Sequence, residues 1–134
     1  MSEGLPEGMP PEVAELAGRL FDLARAGDAT LLAYLDAGAP ADLANGSGDS
    51  LVMLAAYHGH AGLVRGLLAR GADPDRANER GQTPLAGAVF KGEDEVVSAL
   101  VAGGADPDTG SPTAREAAAM FGSDTARLLP PPAG

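Results

Sequence analysis

Cysteine is absent from all 134 residues, and so is tryptophan. No disulfide scaffold, zinc–thiolate site or cysteine nucleophile can be built from this chain. Aromatic side chains are scarce, with 3 phenylalanines and 2 tyrosines. Positive charge is scarce too: 9 Lys and Arg against 19 Asp and Glu leave a formal net charge of -10. The basic residues form no block, so nucleic acid and anionic membrane surfaces are poor partners for such a field. The longest strong apolar run, Leu51 to Tyr57, falls far short of the ~20 residues needed to cross a bilayer. The first residues, Met1 to Glu12, lack the basic and apolar regions of a secretory signal. These absences predict a cytoplasmic, soluble protein, with the net charge keeping a small domain dispersed.

Hydrophobic residues are 45% of the chain and charged residues 21%, enough apolar content for one domain with a real core. The chain also repeats itself. Gly71-Ala72-Asp73-Pro74-Asp75 returns 33 residues later as Gly104-Ala105-Asp106-Pro107-Asp108, and Gly38-Ala39-Pro40 precedes the first copy by the same interval. Gly48, Ser50 and Gly59 return as Gly81, Thr83 and Gly92, and Leu63, Val64, Leu67 and Leu68 as Val96, Val97, Leu100 and Val101. One period shared by independent features marks stacked supersecondary units.

Local chemistry says what each unit is. Thr83-Pro84 starts a helix, because Thr can cap free amides and Pro is tolerated at the first helical position; Ser50 stands in the equivalent place. That helix stops at Gly92, or Gly59, where glycine takes the left-handed conformation. A second helix follows with apolar residues at i, i+1, i+4 and i+5, one buried stripe, and stops at Gly71 or Gly104. The stretch from Asp73 to Gly81, rich in Asp, Asn, Pro and Gly, reads as a projecting turn. The termini look like incomplete copies. Leu20 to Gly38 matches the two-helix part, with Gly27 at its stop, and Thr113 to Leu129 matches at the other end, with Gly122 at its stop. The last projecting turn is shorter by three residues, and either Ser111 or Thr113 begins the helix that follows. Met1 to Pro10 is expected to be loose, and Pro130-Pro131-Pro132 to end the last helix in a short Pro-rich tail.

Gly81-Gln82-Thr83-Pro84-Leu85, Ala55-Ala56-Tyr57-His58-Gly59-His60 and the two Gly-Ala-Asp segments resemble the ankyrin repeat family. The likeness runs from about Leu16 to Leu129. Ser50-Leu51-Val52-Met53 and Ala86 depart from the family's Thr-Pro-Leu-His, and Val89 replaces the second Ala of the Ala-Ala pair. The resemblance implies an all-α ankyrin-repeat solenoid of stacked antiparallel helix pairs with projecting turns. Two full repeats (45–77 and 78–110) lie between incomplete N-terminal (11–44) and C-terminal (111–129) capping repeats. It also implies a non-enzymatic protein-interaction module that binds a partner through a concave groove. Carried over by position, the groove sites are Arg25, Asp49, Tyr57, His58, Glu79, Arg80, Gln82, Phe90, Lys91, Met120 and Phe121. Three of the few aromatics fall among them, and aromatic and Met enrichment marks interface cores.

Rival readings have less to rest on. His58 and His60 flank Gly59 with no third metal ligand apparent, and the resemblance gives His60 a structural role against the neighbouring loop backbone. Asp73, Asp75, Asp106 and Asp108 suggest calcium, but their recurrence matches the turn, where Asp accepts backbone N–H bonds. No metal, cofactor or catalytic set is expected, and the chain is read as a monomer that is not an enzyme. The functional alternative is an acidic inhibitor or immunity-type regulator of a neighbouring gene's enzyme, its charge occluding a basic site. An enzyme with a deep polar pocket and self-association through the groove are further alternatives. High Ala and Gly content and Arg in preference to Lys suggest a bacterial source.

Overall fold

The computed structural model describes residues 10–121 and 124–131. The first segment expected to be loose (all but Pro10), the helix stop expected at Gly122 and the end of the expected Pro-rich tail fall on residues outside these. Among the described residues, seven α-helices follow in order: α1 (Pro11–Ala26), α2 (Thr30–Asp36), α3 (Leu51–Tyr57), α4 (Ala61–Ala69), α5 (Pro84–Lys91), α6 (Asp94–Ala102) and α7 (Ala114–Phe121), then a 3-10 turn over Asp124–Leu128.

They form two layers. The first helices pack in series, α1 on α3, α3 on α5 and α5 on α7, while the second helices pack α2 on α4 and α4 on α6. Each first helix also packs on the second helix of its own unit. The core lies between the layers, around Phe21, Leu31, Leu51, Leu67, Leu85 and Leu100, all fully buried. No unit covers its own apolar side, so the next unit must. Small buried residues such as Ala55, Ala56, Ala88, Ala117 and Ala118 let the first helices approach closely.

The helix boundaries follow the local chemistry. The Ser50 hydroxyl accepts the Met53 N–H at 3.1 Å and the Thr83 hydroxyl accepts the Ala86 N–H at 3.2 Å. Gly27 and Gly92 end α1 and α5 in the left-handed conformation. At the last unit Thr113 is the N-cap: its hydroxyl accepts the Glu116 N–H at 3.0 Å, and the Glu116 carboxylate accepts the Thr113 N–H at 2.8 Å. This reciprocal pair is a capping box, and it leaves Ser111-Pro112 in the turn before the helix.

The last unit departs from the expected helix pair. Its second element is only the 3-10 turn, which packs on α6 and α7. Pro130, two residues beyond it, cannot continue a helix and disfavours the helical conformation of the residue before it.

The projecting turns are built twice on the same plan. Asn45 Oδ1 accepts the N–H groups of Ser47 and Asp49, both at 3.0 Å, and Asn78 Oδ1 accepts those of Arg80 and Gln82, also at 3.0 Å. Neighbouring turns are tied together: Glu79 N–H donates to the Ser47 carbonyl at 3.0 Å and Ser111 N–H to the Gly81 carbonyl at 2.9 Å. Gly48 has φ of +80°, and a Cβ there would lie 2.9 Å from Glu79 N, so both conformation and close approach require glycine. On the opposite side, Asp42 Oδ1 accepts the Asp73 N–H and Asp75 Oδ1 accepts the Asp106 N–H, each at 2.7 Å. Of the recurrent aspartates, Asp73, Asp75 and Asp106 therefore act as backbone acceptors, while Asp108 pairs with the Arg115 side chain.

Candidate functional site

The C-terminal ends of the first helices and the tips of the projecting turns share one face. α3 ends in Tyr57, α5 in Phe90 and Lys91, and α7 in Met120 and Phe121. Because each first helix buries its other side against its neighbours, these terminal side chains turn outward. Tyr57 is 48% exposed, Phe90 58%, Phe121 53% and Met120 67%. Phe90 and Phe121 meet edge to face, with ring centroids 4.8 Å apart, a favoured aromatic geometry. Around them lies a cleft of about 310 Å³. Tyr57, Phe90, Met120 and Phe121 line it, with Met53 and Ala86 below and Gln82 at its edge.

A second cleft, of about 270 Å³, adjoins the first and shares Tyr57, Met53 and Gln82 with it. Apart from Leu54, its remaining lining is polar: Ser47, Asp49, Asn78 and Arg80. Asn78 organises this wall, since its Nδ2 donates to Asp49 Oδ1 and to Gln82 Oε1, both at 2.9 Å. The two clefts thus make one surface with an apolar and a polar half, divided by Tyr57.

Seven of the residues singled out in the sequence are brought together here: Asp49, Tyr57, Arg80, Gln82, Phe90, Met120 and Phe121. The other four stand outside the clefts. Arg25, at the end of α1, pairs with Asp22 at 3.0 Å. Glu79 is exposed on its turn. Lys91 lies over the Tyr57 ring, and His58 meets that ring edge-on with centroids 5.5 Å apart. Burial, together with the positive charges of Lys91, His60 and Arg25, holds the His58 pKa below the usual histidine range.

Sequence reasoning missed Met53, Ala86 and Asn78. Each carries the repeat signal: Met53 and Ala86, like Asn45 and Asn78, occupy equivalent places in successive units. His60 has a backbone role, with Nε2 placed 2.8 Å from the Arg25 carbonyl. A carbonyl only accepts, so Nε2 carries the proton.

Among the described residues, no group of three or more His, Cys, Asp or Glu side chains is arranged to hold a metal ion. No helix among them is long and apolar enough to cross a membrane.

Comparison with known proteins agrees with the geometry. The family model for ankyrin repeats in three copies matches residues 20–111 and again 52–130. A putative ankyrin repeat protein of Pseudomonas aeruginosa is 54% identical over 55 residues, covering 40% of this chain and 32% of the relative. The chain therefore spans about a third of the length of that curated relative. With stacked helix pairs, tied turns and a family match over most of its length, the chain belongs to the ankyrin repeat family.

Proposed function

We propose that this chain is a non-enzymatic binding module that holds a partner protein against the face formed by its first helices and projecting turns. Ankyrin repeats generally mediate protein–protein interaction, and the family is typically non-catalytic. The observation that carries the reading here is the convergence of Tyr57, Phe90, Met120 and Phe121, all about half exposed or more, around one apolar cleft. Large apolar side chains gathered beside polar groups are characteristic of contact surfaces. Tyr57 and Phe90 serve as anchors, and Asp49, Arg80 and Gln82 orient the partner's polar groups. Glu79, Arg25 and His58 belong to the outer margin, where contacts add little affinity. A surface of this kind buries on the order of 800 Å² on each side. The module acts as a monomer in a bacterial cytoplasm.

An acidic inhibitor would need its carboxylates gathered on the contact face. Asp73, Asp75 and Asp106 instead accept backbone N–H groups in the turns that follow the second helices. Asp49 shares the polar cleft with Arg80, so the face carries both signs.

The test is comparative affinity capture from a lysate of the source organism. The baits are the wild type, the double variant Tyr57→Ala/Phe90→Ala, and Arg65→Ala on the second-helix side as a control. At least one protein recovered by wild type and control is expected to be lost from the double variant. A well-packed aromatic anchor is worth about 2 kcal/mol or more, roughly 30-fold in affinity. Equal recovery by all three folded baits would refute the assignment of this face.

A further inference from the structure

The last carbonyls of a helix have no partner within it, and a donor from elsewhere must satisfy them. Two successive first helices meet this need with different residues. At the end of α1, His60 Nε2–H donates to the Arg25 carbonyl at 2.8 Å. The imidazole rests against Gly27, where any Cβ would collide with the ring. At the end of α3 the equivalent carbonyl is that of Tyr57, two residues before the left-handed Gly59 as Arg25 is two before the left-handed Gly27.

The residue that repeats His60 one unit later is Glu93. Its carboxylate rests against Gly59 as the imidazole rests against Gly27. An ionised carboxylate only accepts hydrogen bonds, so it cannot serve a carbonyl. Lys91 does so: its Nζ donates to the Tyr57 carbonyl at 2.7 Å. The same ammonium stands 4.1 Å from the centroid of the Tyr57 ring, within cation–π range. A cation at a helix C-terminus is also favoured by the helix dipole.

We propose that Lys91 is a positioning residue. It performs at the end of α3 the capping that His60 performs at the end of α1, and with the same ammonium it fixes the Tyr57 ring. Tyr57 lines both clefts and Lys91 lines neither, so Lys91 sets the shape of each through Tyr57. The inference concerns the free chain and stands apart from the identity, or the existence, of a partner for the groove.

Lys91 is the chain's only lysine, so selective isotope labelling of lysine gives one side-chain spin system by NMR. In the full-length wild type its methylene protons are expected upfield of those of an unstructured lysine, under the ring current of Tyr57, and to return to ordinary positions in Tyr57→Leu. Ordinary positions in the wild type would overturn the proposal. Thermal unfolding tests the carbonyl contact. Lys91→Met is expected to lower Tm by about 2–5 °C, while Lys91→Arg, which keeps charge and donor, stays near the wild type. Glu93→His on its own should change little, because the carbonyl is already capped. Combined with Lys91→Met it should recover at least half of the loss, since an imidazole at that place can donate to the Tyr57 carbonyl. An unchanged Tm for Lys91→Met, or no recovery in the combined variant, would refute the capping role.

Discussion

Replacing Asp75 with asparagine is expected to stabilise this protein at neutral pH, although it alters a residue that bridges two repeats. Asp75 Oδ1 accepts the Asp106 N–H at 2.7 Å, and Asp73 Oδ1 accepts the Asp75 N–H at 2.8 Å. The carboxylate is partly buried beside two others, and among the described residues no cation is paired with it. Its neighbour Arg76 donates instead to the Asp42 carbonyl. Burial pushes the Asp75 pKa up, and repulsion from Asp73 and Asp106 adds to this, against the lowering effect of the Asp106 N–H. Asp108 is the contrast: Arg115 pairs with it at 2.9 Å and pulls its pKa down.

A folded pKa above the unfolded value means that the charged form opposes folding at neutral pH. That opposition fades as pH falls through the folded pKa. Asparagine keeps the accepting oxygen and removes the charge. Because Asp75 is partly open to solvent, the gain is screened to about 0.5–1 kcal/mol, or about 2–5 °C in Tm for a chain of this size. Asp75→Ala loses the acceptor and is expected to be less stable than wild type by about 1 kcal/mol. Thermal unfolding followed by circular dichroism at pH 7.5 and pH 4 separates the terms, and the advantage of Asp75→Asn should shrink at the lower pH. If Asp75→Asn lowered Tm at pH 7.5 as far as Asp75→Ala does, the charge would be supporting the fold and the reasoning would fail.

Other perturbations probe the remaining links. Deleting residues 112–134 bares the side of α5 that packs on α7. It should cost several kcal/mol and broaden the thermal transition, whereas a truncated chain melting as high and as sharply as the whole would show that the last unit is dispensable. Thr83→Ala removes the α5 cap and is expected to lower stability by about 1 kcal/mol, measured by urea unfolding, with Thr83→Ser nearly neutral. His58 has its pKa held below the unfolded value, so the stability linked to it is complete above about pH 6.5 and is lost as pH falls through the folded pKa. His58→Gln should therefore flatten the decline in Tm between about pH 7 and pH 5, and a decline as steep as that of wild type would count against the shift.

Much of this architecture is written locally. The caps Ser50 and Thr83 and the stops Gly27, Gly59 and Gly92 need only a few neighbouring residues to act, and the 33-residue recurrence exposes them. Reading the sequence leaves open the choice of Thr113 over Ser111, though its signal was legible, because Thr113-Ala114-Arg115-Glu116 has the spacing of a capping box. The shrinkage of the last second helix to a 3-10 turn was less so. The proline run announces an end, but the residues before it do not say how tightly the chain must wind to meet α6.

The candidate site divides along the same line. Position within the repeat identified Tyr57, Phe90, Met120 and Phe121 as a set, because a residue just before the helix stop points the same way in every unit. Which of them touch was decided by stacking. Phe90 meets Phe121, and Lys91 reaches the Tyr57 carbonyl and ring, through contacts that join residues 31 to 34 apart in sequence. Helix propensity, N-terminal capping and glycine conformation act over a few residues and were determined by the sequence alone. The meeting of side chains from successive repeats depends on the offset and tilt between neighbouring units, which no single repeat contains, and only the packed tertiary structure settles it.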